Sequence, residues 1–265
     1  MRFLLISDIH ANIEAFNAAM AAAPSCDRVL NLGDVVGYNG SPNEVTEAAR
    51  KLGAMTIRGN HDKACTGLMT LENFNPIAGM AALWTMKRLT KENLDWLKDL
   101  PQGPVIVPTI PLEDQEQTWS PGEGTAIQIV HGSPLDEDEY MIVIRDAQEP
   151  LARTRFPLTF FGHTHIQGGF SQQGSRYETI RPEYSSADGA VQFAMHLQPK
   201  AKYLINPGSI GQPRDGDVRA AFAVYDSDEN SVTFHRVPYD VSAAQKHIYD
   251  AKLPERLATR LGEGR

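Results

Sequence analysis

Short apolar runs alternate with polar, glycine-bearing loops along the first sixty or so residues. Phe3 to Ile6 is the first run, and Ser7-Asp8-Ile9-His10-Ala11-Asn12 follows it. The alanine-rich stretch to about Ala23 reads as a helix, with Asn12 at its N-cap and Glu14 in its first turn. Val29 to Leu32 is a second run, leading into Gly33-Asp34-Val35-Val36-Gly37-Tyr38. Ser41, Pro42 and Glu44 then have the spacing of a capping box opening a helix to about Leu52. Met55 to Arg58 is a third run, ending in Gly59-Asn60-His61-Asp62. This β-α-β-α-β order predicts a parallel sheet, and its continuous apolar strands predict burial on both faces.

Further along, residues 63–100 read as helical. Ile77, Met80, Ala81 and Trp84 form one apolar stripe, and Leu94, Leu97 and Leu100 another. Val105 to Ile110 and Ala126 to Val130 read as strands joined by a hairpin loop over 111–125. Leu158 to Phe161 and Tyr203 to Ile205 are further strands, and Phe222–Tyr225 with Val232–Val237 reads as a closing hairpin. Segment 167–201 is polar, Gly/Ser-rich and without a clear period, so it reads as an excursion over the site or an irregular loop. The tail from Ala243 reads as a peripheral helix over 243–265. No linker or repeat divides the chain, so residues 1–265 are expected to form one domain.

Five of these strands end in a loop bearing His, Asp or Asn. The loops hold Asp8 and His10, then Asp34, then Asn60 and His61, then His131, then His163 and His165. In open α/β folds, strand C-termini converge on one site. Imidazole and carboxylate suit divalent transition metals. Seven ligands drawn from these eight residues exceed one tetrahedral ion and suit two ions sharing a bridging carboxylate. If Asp8-x-His10 and His163-x-His165 are extended, both members of each pair face the same side.

Composition narrows the setting. Asp plus Glu number 33 against 25 Lys plus Arg, for a net charge of −8. That balance, with no basic stripe, argues against a nucleic-acid partner. Cys26 and Cys65 form no CxxC pair and read as reduced thiols, which places the chain in the cytoplasm. The N-terminal apolar run is too short for a signal-peptide core, and nothing approaches the roughly 18 apolar residues of a membrane span.

The five motifs in this order resemble those of the calcineurin-like metallophosphoesterases: D-x-H, G-D, G-N-H-[DE], a lone His after a strand, and G-H-x-H. Gly37-Tyr38-Asn39, Ser41-Pro42-Asn43-Glu44, Asn206-Pro207-Gly208-Ser209 and Gln212-Pro213-Arg214-Asp215-Gly216 extend the likeness to a bacterial and archaeal branch of phosphodiesterases related to diadenosine tetraphosphatases. The resemblance implies a four-layer α-β-β-α sandwich, two packed mixed β-sheets with flanking helices. It implies that Asp8, His10 and His165 hold one divalent metal and Asn60, His131 and His163 a second, with Asp34 bridging. Manganese, iron, zinc and nickel all suit these donors. It also implies that His61 is the catalytic histidine. The second motif lacks the Asp and Arg that eukaryotic protein phosphatases add to it.

The expected function is hydrolysis of a phosphodiester or a small phosphorylated metabolite by a metal-bridging hydroxide, with His61 protonating the leaving oxygen. Dinucleoside-polyphosphate hydrolysis and phosphomonoester hydrolysis are the variants within that class. A non-catalytic metal-binding scaffold is the alternative outside it, and the complete ligand set argues against that. Tyr38, Asn39, Arg214 and Arg219 are candidates for substrate contact, the arginines because their geometry matches phosphate.

Overall fold

Alternate residues of the first strand face opposite ways, and both faces are buried. The computed structural model describes residues 1–72, 74–109 and 126–265. The predicted hairpin loop 111–125 lies outside the described residues. Strands β1 (Arg2–Ile6), β2 (Arg28–Asn31) and β3 (Met55–Thr56) pair in parallel, Leu4 opposite Val29 and Leu30 opposite Met55. The predicted closing hairpin, β11 (Ala220–Asp226) and β12 (Ser231–Val237), joins antiparallel to β1 with Leu4 opposite Val224. With β9 (Val191–His196) these form a six-stranded sheet of order β3-β2-β1-β11-β12-β9.

The second sheet has order β4-β5-β6-β10-β7-β8. Its strands are β4 (Val105–Pro108), β5 (Ala126–Ile129), β6 (Leu158–Phe160), β7 (Gly168–Gln173), β8 (Arg176–Ile180) and β10 (Lys202–Asn206). Both sheets are mixed. Phe3, Leu5, Leu30, Ile127, Ile129, Phe160, Ile205 and Phe234 share one buried cluster contributed by both sheets. Leu4 and Ile6 point the other way and pack with Phe16 and Ala19 of helix α1 (Ile13–Ala22) and Val45 and Ala49 of α2 (Pro42–Leu52). On the far side, Phe161, Phe170 and Leu204 pack with Ala147 and Leu151 of α6 (Ile144–Arg153). The result is the expected four-layer α-β-β-α sandwich of two packed mixed sheets.

Several expectations need correction. Asn12 caps α1, accepting from the Ala15 amide at 3.1 Å. Ser41 precedes α2 but its side chain makes no capping hydrogen bond, so the Ser41–Glu44 box does not form. Residues 63–100 hold α3 (Asn60–Thr66), α4 (Pro76–Arg88) and α5 (Lys91–Lys98). In α4 the buried face is Ala78, Ala81, Ala82 and Thr85, and Met80 is 58% exposed. Small side chains let α4 lie close to its neighbours, so its buried face follows the alanines rather than the Ile77, Met80, Ala81 and Trp84 stripe.

Segment 167–201 is not irregular. It holds β7, β8 and β9, with β7 and β8 joined as an antiparallel hairpin. The two-residue Gly174-Ser175 turn was its signal, with Gly174 at φ +61°. Nor is the tail one peripheral helix. Helices α7 (Val241–Asp250) and α8 (Glu255–Leu261) bury Ile248, Leu257 and Leu261 in a cluster with Tyr38, Ala78 and Ala81.

Candidate metal centre

The loops after β1 and β2 remain hydrogen-bonded beyond the strand ends. The Asp8 amide donates to Gly33 O at 3.0 Å and the His10 amide to Asp34 O at 2.9 Å. In the second sheet the Gly162 amide donates to His131 O at 2.7 Å, and the His163 amide crosses to the first sheet's loop, donating to Asp8 Oδ2 at 3.2 Å. These bonds hold the loops of both sheets at one edge. The segments are not extended, which corrects the same-side argument for the two x-spaced pairs. Asp8, His10, Asp34, His163 and His165 all have left-handed φ values between +48° and +66°. Such conformations cost non-glycine residues energy and cluster at functional sites. Tight turning, rather than strand periodicity, converges the side chains.

The loops also approach closely. A Cβ on Gly59 would fall 2.1 Å from Asp34 Oδ1, so only glycine lets the third loop sit against the second. The Asp34 Oδ1 atom accepts the His61 amide at 2.8 Å. Asp62 accepts from the Asp34 amide at 2.8 Å, the Gly59 amide at 3.0 Å and the Val36 amide at 3.2 Å. Asp62 therefore ties loops together and does not touch the His61 ring.

Two buried groups of donor atoms result. Asp8, His10, Asp34 and His165 form one, and Asp34, His131 and His163 the other, with the atoms of each within 4.8 Å of one another. Asp34 belongs to both. Its Oδ2 lies 3.6 Å from His10 Nε2 and 3.3 Å from His131 Nε2. Asn60 Oδ1 lies 3.2 Å from His131 Nε2, which brings the seventh predicted residue to the second group.

The hydrogen bonds behind the rings set their tautomers. Nδ1–H of His10 donates to Val36 O at 3.1 Å, that of His131 to Leu32 O at 2.8 Å and that of His165 to Gln212 O at 2.6 Å. Carbonyls only accept, so each of these rings carries its proton on Nδ1 and turns Nε2 inward, as a lone pair in neutral His10 and His165. His163 is reversed: Nε2–H donates to Asp138 O at 3.0 Å, which leaves Nδ1 as its free donor atom. His10 Nε2 and His165 Nε2 stand 3.0 Å apart, two lone pairs facing each other. Asp8 Oδ1 is buried without a hydrogen-bond partner. A cation between them satisfies all three atoms, so the donor set fits a divalent metal.

Charge follows the same pattern. Burial works against protonated His131, but the Asp34 carboxylate outweighs it and pushes the imidazole up to about 10. Burial opposes ionisation of Asp34, yet His131 and His61 hold it well below the usual carboxylate range. Burial pulls His163 down to about 3 and holds His10 well below its ordinary range, which keeps their lone pairs available. Burial first, then the Asp34 charge, pushes Asp62 up to about 7.

His61 stands beside the cluster. Its ring centroid lies 4.3 Å from Tyr38, 4.9 Å from His10 and 5.1 Å from Phe74. Its Nδ1 is buried and unpartnered. Gly37, at φ +96°, packs on this ring, and a Cβ there would fall 2.6 Å from Nδ1. A cleft of about 380 Å³ opens over Asn60, His61 and His163, walled by Tyr38, Phe74 and Tyr140. Tyr140 stacks on His163 at 3.8 Å between centroids. Sequence reading missed Phe74 and Tyr140, which stand outside every motif.

Of the substrate candidates, Tyr38 lines this cleft. Asn39 does not. It is buried and its Nδ2 donates to His10 O at 2.7 Å, bracing the first loop. Arg219 is also misplaced by the sequence reading. Its guanidinium forks onto Asp217 at 2.6 to 3.1 Å and donates to Gly189 O, and it lines neither cleft beside the cluster. Arg214 reaches the Tyr38 hydroxyl at 3.2 Å from a neighbouring cleft.

Two packed mixed sheets carry at one edge a buried histidine–carboxylate cluster whose donors fit metal cations. The chain belongs to the calcineurin-like phosphoesterase superfamily, whose domain matches residues 1–230. It is 33% identical over 263 residues to an uncharacterized protein of Methanocaldococcus jannaschii, covering 98% of this chain and 97% of that one. It is similar to the crystal structure of a metallophosphoesterase from Sphaerobacter thermophilus, with a TM-score of 0.79 and 36% identity over 100% of this chain and 99% of that one. A hypothetical protein from Pyrococcus horikoshii shares the fold at a TM-score of 0.74 and 19% identity, over 100% and 98% of the two chains. Among the described residues, no helix is long and apolar enough to cross a membrane.

Proposed function

We propose that this chain is a two-metal phosphoesterase acting on a phosphodiester or a small phosphorylated metabolite. The observation that carries the reading is the Asp34 carboxylate, which stands within 3.6 Å of donor atoms from both halves of the cluster. Asp8, His10 and His165 would hold one divalent cation, Asn60, His131 and His163 the other, and Asp34 both. The cations would supply Lewis acidity and positive charge for the phosphoryl group in its transition state.

The remaining work falls to the chain itself. The Nδ1–H bonds to Val36, Leu32 and Gln212 fix three ring planes before substrate arrives. His61 would carry a proton to the leaving oxygen. Burial pulls its imidazole down to about 4, and the negative charge of a phosphoryl group beside it would oppose that shift and favour the protonated ring. Tyr38 and Phe74 hold the ring in place. A cleft of about 380 Å³ suits a small molecule rather than a protein surface.

The packing of α7 and α8 with Tyr38 and Ala81 supports reading residues 1–265 as one domain. The unpaired thiols of Cys26 and Cys65 support a reducing, cytoplasmic setting.

The test is hydrolysis of bis-p-nitrophenyl phosphate and p-nitrophenyl phosphate by chelated protein resupplied with manganese, nickel, zinc or iron. Metal-dependent release that Asp34→Asn abolishes is the expected result, and the faster substrate assigns diesterase or monoesterase preference. No release with any metal, together with fewer than two bound ions per chain, would overturn the reading in favour of a scaffold.

A further inference from the structure

The cluster does not account for the arginines beside it. Arg214 follows β10 in sequence, Arg256 and Arg260 lie on α8, and Arg265 follows that helix. All four line one cleft of about 400 Å³ together with Tyr38 and Tyr140, and no Asp or Glu is among its lining residues. The same two tyrosines wall the cleft over His61 and His163, so the clefts are neighbours.

Arg214 and Arg260 have no acidic side-chain partner among the described residues. Arg214 donates to the Tyr38 hydroxyl at 3.2 Å and to Gln212 Oε1 at 3.1 Å, both neutral, and its Nε is buried without a partner. Arg260 donates from Nε to a main-chain oxygen of Arg265 and has no acidic side chain against it. The guanidinium carbons of Arg214 and Arg260 lie 5.5 and 5.6 Å from the centroid of the same Tyr38 ring. Arg256 reaches Glu263 at 3.2 Å, an exposed pair that an incoming anion can displace. Burial, then the charge of Arg214, pulls Arg260 down to about 10. In a chain of net charge −8, this is a local concentration of positive charge that an anion would stabilise.

We propose that this cleft is a second phosphoryl-binding subsite, so that the substrate carries a second phosphoryl group held by Arg214, Arg256 and Arg260. The proposal takes the position of the first phosphoryl group from the phosphoesterase reading above. A phosphoryl group suits the subsite better than a carboxylate, because its two negative charges and three free oxygens can engage several guanidinium forks at once. The second group could be joined to the first through a pyrophosphate link or sit on a separate carbon of the same molecule.

Binding tests the subsite without turnover. Calorimetry on metal-stripped wild-type protein should show inorganic pyrophosphate binding at least about tenfold more tightly than sulfate or orthophosphate, from the added charge-assisted contacts. Arg260→Gln and Arg256→Gln should each remove most of that difference, and Arg260→Lys should keep part of it. Equal affinity for the three anions in wild-type protein, or no change in both glutamine variants, would overturn the subsite even if the chain proves to be a phosphoesterase. Conversely, the binding result stands if no metal supports hydrolysis, so the two readings fail separately. Inhibition of p-nitrophenyl phosphate hydrolysis then assigns the linkage. Stronger inhibition by ADP than by AMP marks the pyrophosphate link, and stronger inhibition by adenosine 3′,5′-bisphosphate marks separate carbons. Equal inhibition by all three would overturn the proposal.

Discussion

Asp62 accepts the backbone amide of Asp34 at 2.8 Å, so the residue after the proposed catalytic histidine positions the carboxylate shared by both halves of the cluster. The same carboxyl group also accepts the Gly59 and Val36 amides. Asp62→Asn would put an NH₂ group against at least one of these N–H donors. Metal affinity should fall by about 10- to 100-fold, the usual cost of losing a partner behind a ligand. Thermal stability should fall by about 1–3 kcal/mol, the cost of leaving a buried donor unpaired. Competition titration with a chelator and a melting curve check both. Unaltered metal affinity would remove Asp62 from the support of Asp34.

His61→Ala should separate metal binding from turnover, because the ring lies beside the cluster and its Nδ1 has no partner. Two metals per chain should remain. Hydrolysis of a substrate with a poor leaving group should slow by about 10²- to 10⁴-fold, the contribution of general acid catalysis. Hydrolysis with a p-nitrophenolate leaving group should slow less. Equal slowing for both leaving groups would exclude proton donation by His61.

Gly37→Ala tests the same ring from behind. A Cβ would approach His61 Nδ1 to 2.6 Å at a backbone φ of +96°. The ring must then shift, so kcat should fall with metal content unchanged. Metal analysis beside steady-state kinetics reads both, and full activity would show that the ring position is not limiting.

The first half of the site was legible in the sequence because β1 and β2 are continuous apolar runs, and the loops after them carry the chemistry. Glycine punctuation fixed where Asp34, Asn60 and His163 fall. The conformation of those loops was not legible. Left-handed φ at Asp8 and His10 is imposed by hydrogen bonds to the β2 loop, which is about 25 residues away in sequence. Edge strands escaped for another reason. β8 buries none of its residues fully, so its sequence carries no apolar signal. Arg260 lies far beyond the last motif, and only the packing of Leu257 and Leu261 against Ala78 and Ala81 brings its helix to Tyr38.

His235 makes part of the stability depend on pH. Its ring stacks on Phe222 at 4.6 Å and 9°. Burial, and then the charge of Arg2, pull the imidazole down to about 4 from its ordinary 6.5. Between those values the unfolded chain binds a proton that the folded chain does not. Stability should therefore rise with pH across that window and be lost as pH falls through it. His235→Phe keeps the stacking and removes the proton. The difference in unfolding free energy between variant and wild type should grow as pH drops from 6.5 to 4. A difference independent of pH in urea melts would refute the assignment.

Metal removal should weaken the fold itself. Without a cation, the inward lone pairs of His10 and His165 face each other at 3.0 Å and Asp8 Oδ1 is unpartnered. Five residues of the cluster also hold left-handed backbone angles, at a cost of about 1–3 kcal/mol each. A cation that binds only the folded state offsets these terms, by about 2.7 kcal/mol at a hundredfold excess over its Kd. For a chain of this size, that should raise the Tm of chelated protein by roughly 5–10 °C on adding manganese. Asp34→Asn removes a donor common to both groups, so its Tm should rise by less than half as much. The variant matters because nonspecific stabilisation by divalent salt would raise both proteins equally. A wild-type Tm unmoved by manganese, zinc, nickel and iron would show that the strained loops are held by protein contacts alone.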